Sequence, residues 1–224
     1  MKLSLIIPVY NEVCAIDRCL ADLEELEGEA EILFADGGST DGTLEKLAGR
    51  RAIRCGKGRA RQMNEAARQA AGDVLWFSHC DSLLPRDGPR QIREAVEQGA
   101  RFGCFHIGFD YRGPFMGCNT VLSNLRARVW HIAFGDQGIF MTRELFLQMG
   151  GFPELPIMED YELSRRMKRA GIPLRVLPGR IVTSGRRYRT GCPLLTMWRM
   201  FYLRCLYRAG ADIDGIARRY RDVR

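Results

Sequence analysis

The chain has 224 residues, of which 46% are hydrophobic and 27% are charged, with a formal net charge of +7. That balance supports a globular core and excludes a disordered chain. The charge is split: residues 1–162 carry 18 Lys/Arg against 24 Asp/Glu, and residues 163–224 carry 16 against three. An acidic body with a basic C-terminal quarter argues against a uniformly basic nucleic-acid binder. The eight cysteines include no C-x-x-C pair, which predicts reduced, mostly buried thiols and a cytoplasmic setting. Pro8 interrupts the first apolar run, so no signal peptide is read there, and no run is long enough for a spanning helix.

In chain order, Leu3–Ile7 reads as a buried strand and Glu12–Leu26 as an amphipathic helix. A second strand is expected over Glu31–Ala35, a helix over Thr43–Ala48 and a third strand over Ala52–Cys55. Ala-rich Gly58–Ala71 predicts a helix, Val74–Ser78 a fourth strand and Asp87–Gln98 another helix. Alternating strands and helices imply parallel βαβ units in an α/β sandwich. Residues 101–135 fit no regular pattern. Further on, Tyr161–Arg169, Leu194–Tyr207 and Ala211–Val223 read as helices.

In such sheets ligands bind beyond the carboxyl ends of the strands. Three polar loops fall there: Pro8-Val9-Tyr10-Asn11-Glu12, Asp36-Gly37-Gly38-Ser39-Thr40-Asp41-Gly42-Thr43, and the loop from His79 to Pro85. The second loop reads equally as a nucleotide cradle and as turn and capping chemistry. Asp81, just past a buried strand, suits a hard cation completed by pyrophosphate oxygens, with His79 on the same side as a second ligand or a hydrogen-bond donor to phosphate. The plainer reading is a capping Asp and a half-buried His. No G-x-G-x-x-G follows the first strand, which argues against a dinucleotide fold.

Taken together, Leu5-Ile6-Ile7-Pro8-Val9-Tyr10-Asn11-Glu12 and the Asp36–Thr43 loop resemble the opening signatures of family 2 inverting glycosyltransferases. Gly150-Gly151-Phe152-Pro153 and Glu159-Asp160-Tyr161-Glu162-Leu163 resemble the family's later motif. The stretches from Gly56 to Asn64 and from His79 to Pro85 resemble a bacterial glycosyltransferase 2-like subgroup. The resemblance implies a GT-A fold: a mixed, mainly parallel sheet flanked by helices, with a Rossmann-like nucleotide half and C-terminal helices. It divides the chain into one domain over residues 1–190, comprising a nucleotide-sugar half (1–100) and an acceptor half (101–190), followed by a basic helical extension (191–224).

The resemblance also implies roles. Pro8, Tyr10, Glu12, Asp36 and Gly38 would form the nucleoside pocket, with Arg61, Gln62 and Asn64 near the nucleotide. Asp81 would be the surviving acid of a D-x-D metal motif for Mn²⁺ or Mg²⁺, with His79 in place of the first acid. Arg186 and Arg187 would add positive charge at the diphosphate. Asp160, beside Glu159, would be the general base, and Asp136 an acceptor-site residue. Read without the resemblance, Glu159 and Asp160 are more simply capping charges at a helix start. The implied activity is transfer of a sugar, with inversion, from a UDP- or GDP-sugar to an acceptor hydroxyl.

The apolar, Arg-punctuated tail reads either as an interfacial helix at the inner face of a membrane, which suits a lipid-linked acceptor, or as a surface packed on the body or in a homodimer. Two other functions compete. One is a sugar-nucleotide nucleotidyltransferase, whose Gly-rich loop should follow the first strand. The other is a non-catalytic basic module for a membrane surface or nucleic acid.

Overall fold

Alternate residues of the first strand face opposite ways and are buried on both sides: Ile6 enters one core and Leu5 and Ile7 the other. A strand buried on both faces must lie inside a sheet covered by two helical layers. The computed structural model describes residues 1–111, 113–189 and 192–220, with the side chains of Pro114 and Arg187 outside that description. The expected helix end at Val223 and the Arg187 side chain thus lie outside the described residues.

The nucleotide half runs β1 (Leu3–Val9), α1 (Ile16–Glu24), β2 (Glu31–Asp36), α2 (Thr43–Lys46), β3 (Ala52–Arg54), α3 (Arg59–Gln69), β4 (Val74–Phe77), β5 (Ser82–Leu83) and α4 (Gly88–Glu97). There follow β6 (Phe102–Phe109), α5 (Pro114–Trp130), a 3-10 turn (Gly135–Gln137), β7 (Phe140–Thr142), α6 (Arg143–Gln148), α7 (Glu159–Arg169) and β8 (Arg175–Thr183). The chain continues through α8 (Arg186–Arg189), α9 (Pro193–Arg208) and α10 (Ile213–Arg219).

One eight-stranded sheet has the order β3-β2-β1-β4-β7-β6-β8-β5. β3, β2, β1 and β4 are parallel, and β6 pairs with β8 in the same sense. β7 and β5 run against them, so the sheet is mixed where βαβ reasoning alone gave parallel units. Leu75 and Phe77 of β4 join Ile6 in one core, with Met63, Phe146 and Leu163 from the helices. Val74 and Trp76 join Leu5 in the other, with Ile16, Leu23 and Ile92.

Two expectations are corrected. The first helix starts at Ile16 rather than Glu12; ahead of it the N–H groups of Glu12 and Val13 bind Thr43 Oγ1 (2.8 Å) and Asp41 Oδ2 (3.0 Å), fastening this stretch to the second loop. The stretch 101–135 is regular after all, containing β6 and α5. Its pattern was unreadable because β6 is buried on both faces, while α5 leaves apolar residues such as Val121, Leu125, Val129 and Trp130 exposed.

A third, smaller core ties the tail to the body: Leu203 of α9 and Ile216 of α10 pack with Ile132, Ile157, Met158 and Tyr161. This anchors the basic helices beside the start of α7.

Candidate active site

The carboxyl ends of β1, β4, β6 and β8 open onto one cleft of roughly 1370 Å³. Tyr10, His79, Asp81, Phe109 and Thr183 line it from the sheet, and α5, α7 and α9 close it from the other side.

At one end Lys57 Nζ lies 4.3 Å from the centre of the Tyr10 ring and 3.3 Å from its hydroxyl. Pro8, Glu12, Arg59 and Gln62 line the same region. Gln62 is buried, and its amide donates to the carbonyls of Val9 (2.8 Å) and Ala35 (2.7 Å). It braces the ends of β1 and β2 against each other.

The Ser-Thr-Asp-Gly loop is largely structural. Asp36 is fully buried and accepts from the N–H groups of Gly38 (2.9 Å) and Ser39 (3.2 Å). Ser39 Oγ accepts from Asn11 N–H (2.9 Å), and Asn11 Oδ1 accepts from Thr40 N–H (2.9 Å). These bonds fix the shape of the Tyr10 loop. Asp36 and Gly38 support the pocket wall from behind and do not line the cleft.

Arg61 and Asn64 also stand away from it. Arg61 Nε pairs with Glu65 Oε1 at 3.0 Å on the outer face of α3. Both ends of the buried Asn64 amide are engaged by Phe152: Nδ2 donates to its carbonyl and Oδ1 accepts from its N–H, each at 2.8 Å. Gly151, at φ +74°, leaves room for this clamp, since a Cβ there would stand 2.6 Å from Asn64 Oδ1. The α3 arginine that reaches the cleft is Arg59, which pairs with Glu159 at 2.7 Å. A step of two residues on a helix turns a side chain through about 200°, which is why Arg59 and Arg61 part company.

In the middle of the cleft Arg186 Nη2 lies 3.5 Å from Asp81 Oδ2. His79 stands near both Asp81 and Asp160. Burial, reinforced by the Arg59 charge, holds its imidazole below the ordinary value and thus neutral near pH 7.

Beyond it, Asp160 opens α7. Its Oδ2 accepts from Gly135 N–H at 2.7 Å. Met158, just before α7, sits in the left-handed backbone region at φ +67°, a conformation that is costly for a non-glycine residue. That turn aims Glu159 and Asp160 inward. Glu159 is 2% exposed. Burial holds its carboxyl above the ordinary range, and Asp160 adds to this against the pull of Arg59. Asp136, in the 3-10 turn, lines the cleft close by.

The sequence reading missed Lys57, Arg59, Arg126, Phe134 and Arg204, all of which line the cleft. Lys57 and Arg59 lay within the Gly56–Asn64 run, where the helical phase would have separated Arg59 from Arg61. Arg126 and Arg204 carry no local signal, because α5 and α9 meet only in the folded chain.

The sequence pattern of the family described as "Glycosyl transferase family 2" matches residues 4–136. YfnE of Bacillus subtilis (strain 168), an uncharacterized glycosyltransferase, is 38% identical over 97 residues, 39% of this chain and 25% of that protein. The mannosyltransferase PcManGT from Pyrobaculum calidifontis, solved with GDP-Man and Mn²⁺, superposes with a TM-score of 0.67 at 22% identity, over 90% of this chain and 61% of that one. Glucosyl-3-phosphoglycerate synthase from Mycobacterium tuberculosis, solved with Mn²⁺, UDP and glucosyl-3-phosphoglycerate, gives 0.60 at 20% identity, over 94% and 81%. At these identities the structural matches speak for the fold. The chain spans a quarter of the length of YfnE and 61% of PcManGT. Matching that pattern over residues 4–136, the chain belongs to glycosyl transferase family 2, and it takes the GT-A fold.

Proposed function

We propose that this chain transfers a sugar from a UDP- or GDP-sugar to an acceptor hydroxyl, with inversion at the anomeric carbon. The observation that carries the proposal is the convergence of Tyr10 with Lys57, Asp81 with Arg186, and Asp160 with Gly135 in one cleft at the carboxyl edge of a family 2 sheet. Residues 1–100 serve the nucleotide, residues 101–190 the acceptor, and residues 191–224 extend the acceptor side.

Tyr10 and Lys57 hold the nucleoside end of the donor, against a wall kept in shape by Asp36, Gly38, Gln62 and Asn64. Asp160 takes the acceptor proton as the acceptor oxygen bonds to the anomeric carbon. The bond from that carbon to the diphosphate oxygen breaks on the opposite face, and its electron pair leaves with the nucleoside diphosphate. Lys57, Arg59 and Arg186, with Arg187 next to it in sequence, stabilise the charge that develops there.

The residues present fit a divalent cation of the Mn²⁺ or Mg²⁺ kind. Such ions are held by one or two carboxylates plus substrate phosphates; Asp81 would supply the carboxylate, with His79 beside it. Among the described residues no group of three His, Cys, Asp or Glu side chains that could hold a metal ion stands together. A bound cation would supply Lewis-acid stabilisation of the departing diphosphate.

Val121, Leu125 and Val129 of α5 and Leu195, Trp198 and Phe201 of α9 are exposed apolar side chains, and Leu125, Trp198 and Phe201 stand where the cleft opens. No helix among the described residues is long and apolar enough to cross a membrane. We assign these exposed side chains to the surface of an anionic membrane, where Arg199 and Arg208 meet headgroups. A second copy would bring its own basic quarter and repel the first, so lipid is favoured over a homodimer.

Thermal denaturation with a panel of UDP- and GDP-sugars in Mn²⁺ buffer tests the donor assignment. At least one nucleotide sugar raises Tm, and Asp81→Ala reduces that rise. Absence of a shift with every nucleotide sugar contradicts the proposal.

A further inference from the structure

Two guanidinium groups meet one aromatic ring at the acceptor end of the cleft. Arg126, from α5, lies 3.6 Å from the centre of the Phe134 ring, and Arg204, from α9, lies 5.4 Å from it. Phe134 directly precedes Gly135, whose N–H holds Asp160. The pair therefore stands beside the proposed base, at the far end of the cleft from Tyr10 and Lys57.

The arginines nearby are differently placed. Arg165, Arg166 and Arg169 all pair with Glu162, at 3.1, 3.8 and 3.3 Å. Among the described residues Arg126 and Arg204 pair with no carboxylate. Arg126 is oriented by donating to the Ile132 carbonyl (3.1 Å) and to Gln137 Oε1 (2.6 Å). Arg204 has ring contacts with Phe134 and Phe201 and no hydrogen bond within that set.

Burial lowers both, pulling Arg126 down to about 10, while Asp136 and Asp160 act on Arg126 from a distance and only partly offset it. Two desolvated cations side by side are unfavourable unless an anion completes the site. A guanidinium with its fork unengaged is the group best suited to grip a phosphate through two parallel hydrogen bonds.

Building on the glycosyl-transfer reading, we propose that the acceptor carries a phosphate group, which Arg204 and Arg126 hold beside Phe134 so that a hydroxyl of the same molecule reaches Asp160. The basic tail is then part of the substrate site. The phosphate belongs either to a free phosphomonoester or to a lipid headgroup delivered past the exposed apolar side chains of α5 and α9.

The test uses the full chain with its donor end filled by saturating UDP or GDP, whichever raises Tm, so that added phosphate reports on a second site. Inorganic phosphate and glycerol 3-phosphate are titrated by calorimetry, with glycerol as the neutral control. Vesicles of phosphatidylcholine with and without phosphatidic acid form the lipid arm. Binding of a phosphate probe to the nucleotide-loaded protein, weakened about ten-fold or more in Arg204→Met, supports the proposal. Arg204→Lys keeps the charge but loses the fork, and its affinity falls between the two; it also carries the test if the Met variant does not fold. Arg204-dependent binding of the soluble probes identifies a free phosphomonoester, and such binding of phosphatidic-acid vesicles alone identifies a lipid phosphate. Equal phosphate affinity in wild type and both variants, or none in any arm, overturns the proposal while leaving the donor assignment intact. If no nucleotide raises Tm, the glycosyl-transfer reading has failed by itself, and the same titration on free protein still decides whether Arg204 holds an anion.

Discussion

The backbone N–H of Gly135 donates to Asp160 Oδ2 at 2.7 Å, tying the 3-10 turn to the first residues of α7 across 25 positions of sequence. A Cβ on Gly135 would stand 2.7 Å from His79 Nε2 and 3.5 Å from Asp160 Oδ2. The missing side chain is what lets the proposed base and His79 approach one another. Gly135→Ala therefore lowers kcat by about 100-fold, the usual scale for a displacement near 1 Å at reacting groups, while Tm falls only slightly. Steady-state transfer assays with a melting curve check this; unchanged turnover contradicts it.

The Glu159 carboxyl is held above its ordinary value of 4.5, chiefly by burial. A carboxyl raised in the folded state binds protons more readily than in the unfolded chain. Its contribution to stability is fully present below pH 4.5 and is lost as pH rises through the folded value. Glu159→Gln keeps the shape and removes the charge. The Tm of the variant minus that of wild type accordingly increases as pH rises above about 4.5. A difference that stays flat or falls as pH rises from 4.5 contradicts the assignment.

Trp198 is 62% and Leu195 65% exposed, and Val121 and Val129 of α5 are exposed as well. If these side chains meet anionic lipid, co-sedimentation with phosphatidylserine vesicles exceeds that with phosphatidylcholine and declines with salt. Leu195→Ser combined with Trp198→Ser reduces it about ten-fold or more. Equal recovery with both lipids, or no effect of the double variant, removes the membrane assignment.

The nucleotide half was legible because its signals are local. Leu3–Val9, Glu31–Asp36 and Val74–Phe77 are apolar runs bounded by polar loops, and the loops carry the motifs. The acceptor half was less so. β7 and β8 gave no expectation, and α5 hid behind an apolar surface that does not alternate with the helical period. Within the cleft, the motif residues Pro8, Tyr10, Glu12, His79, Asp81, Asp136, Glu159, Asp160 and Arg186 come together as expected. Asp36, Gly38 and Asn64 support it from outside and Arg61 faces away on the outer side of α3, a distinction that depends on helical phase and on loop-to-loop hydrogen bonds rather than on residue type. Arg204 became visible only when α9 folded back over the cleft.

The most direct test of the central claim is glycosyl transfer by Asp160→Asn. Asn is nearly isosteric and can still accept from Gly135 N–H, but it cannot take the acceptor proton. The account predicts an unchanged Tm increase with the donor sugar and a fall in transfer rate of at least about 100-fold, the scale of a lost general base. Transfer at the wild-type rate, with the donor bound equally well, would contradict it.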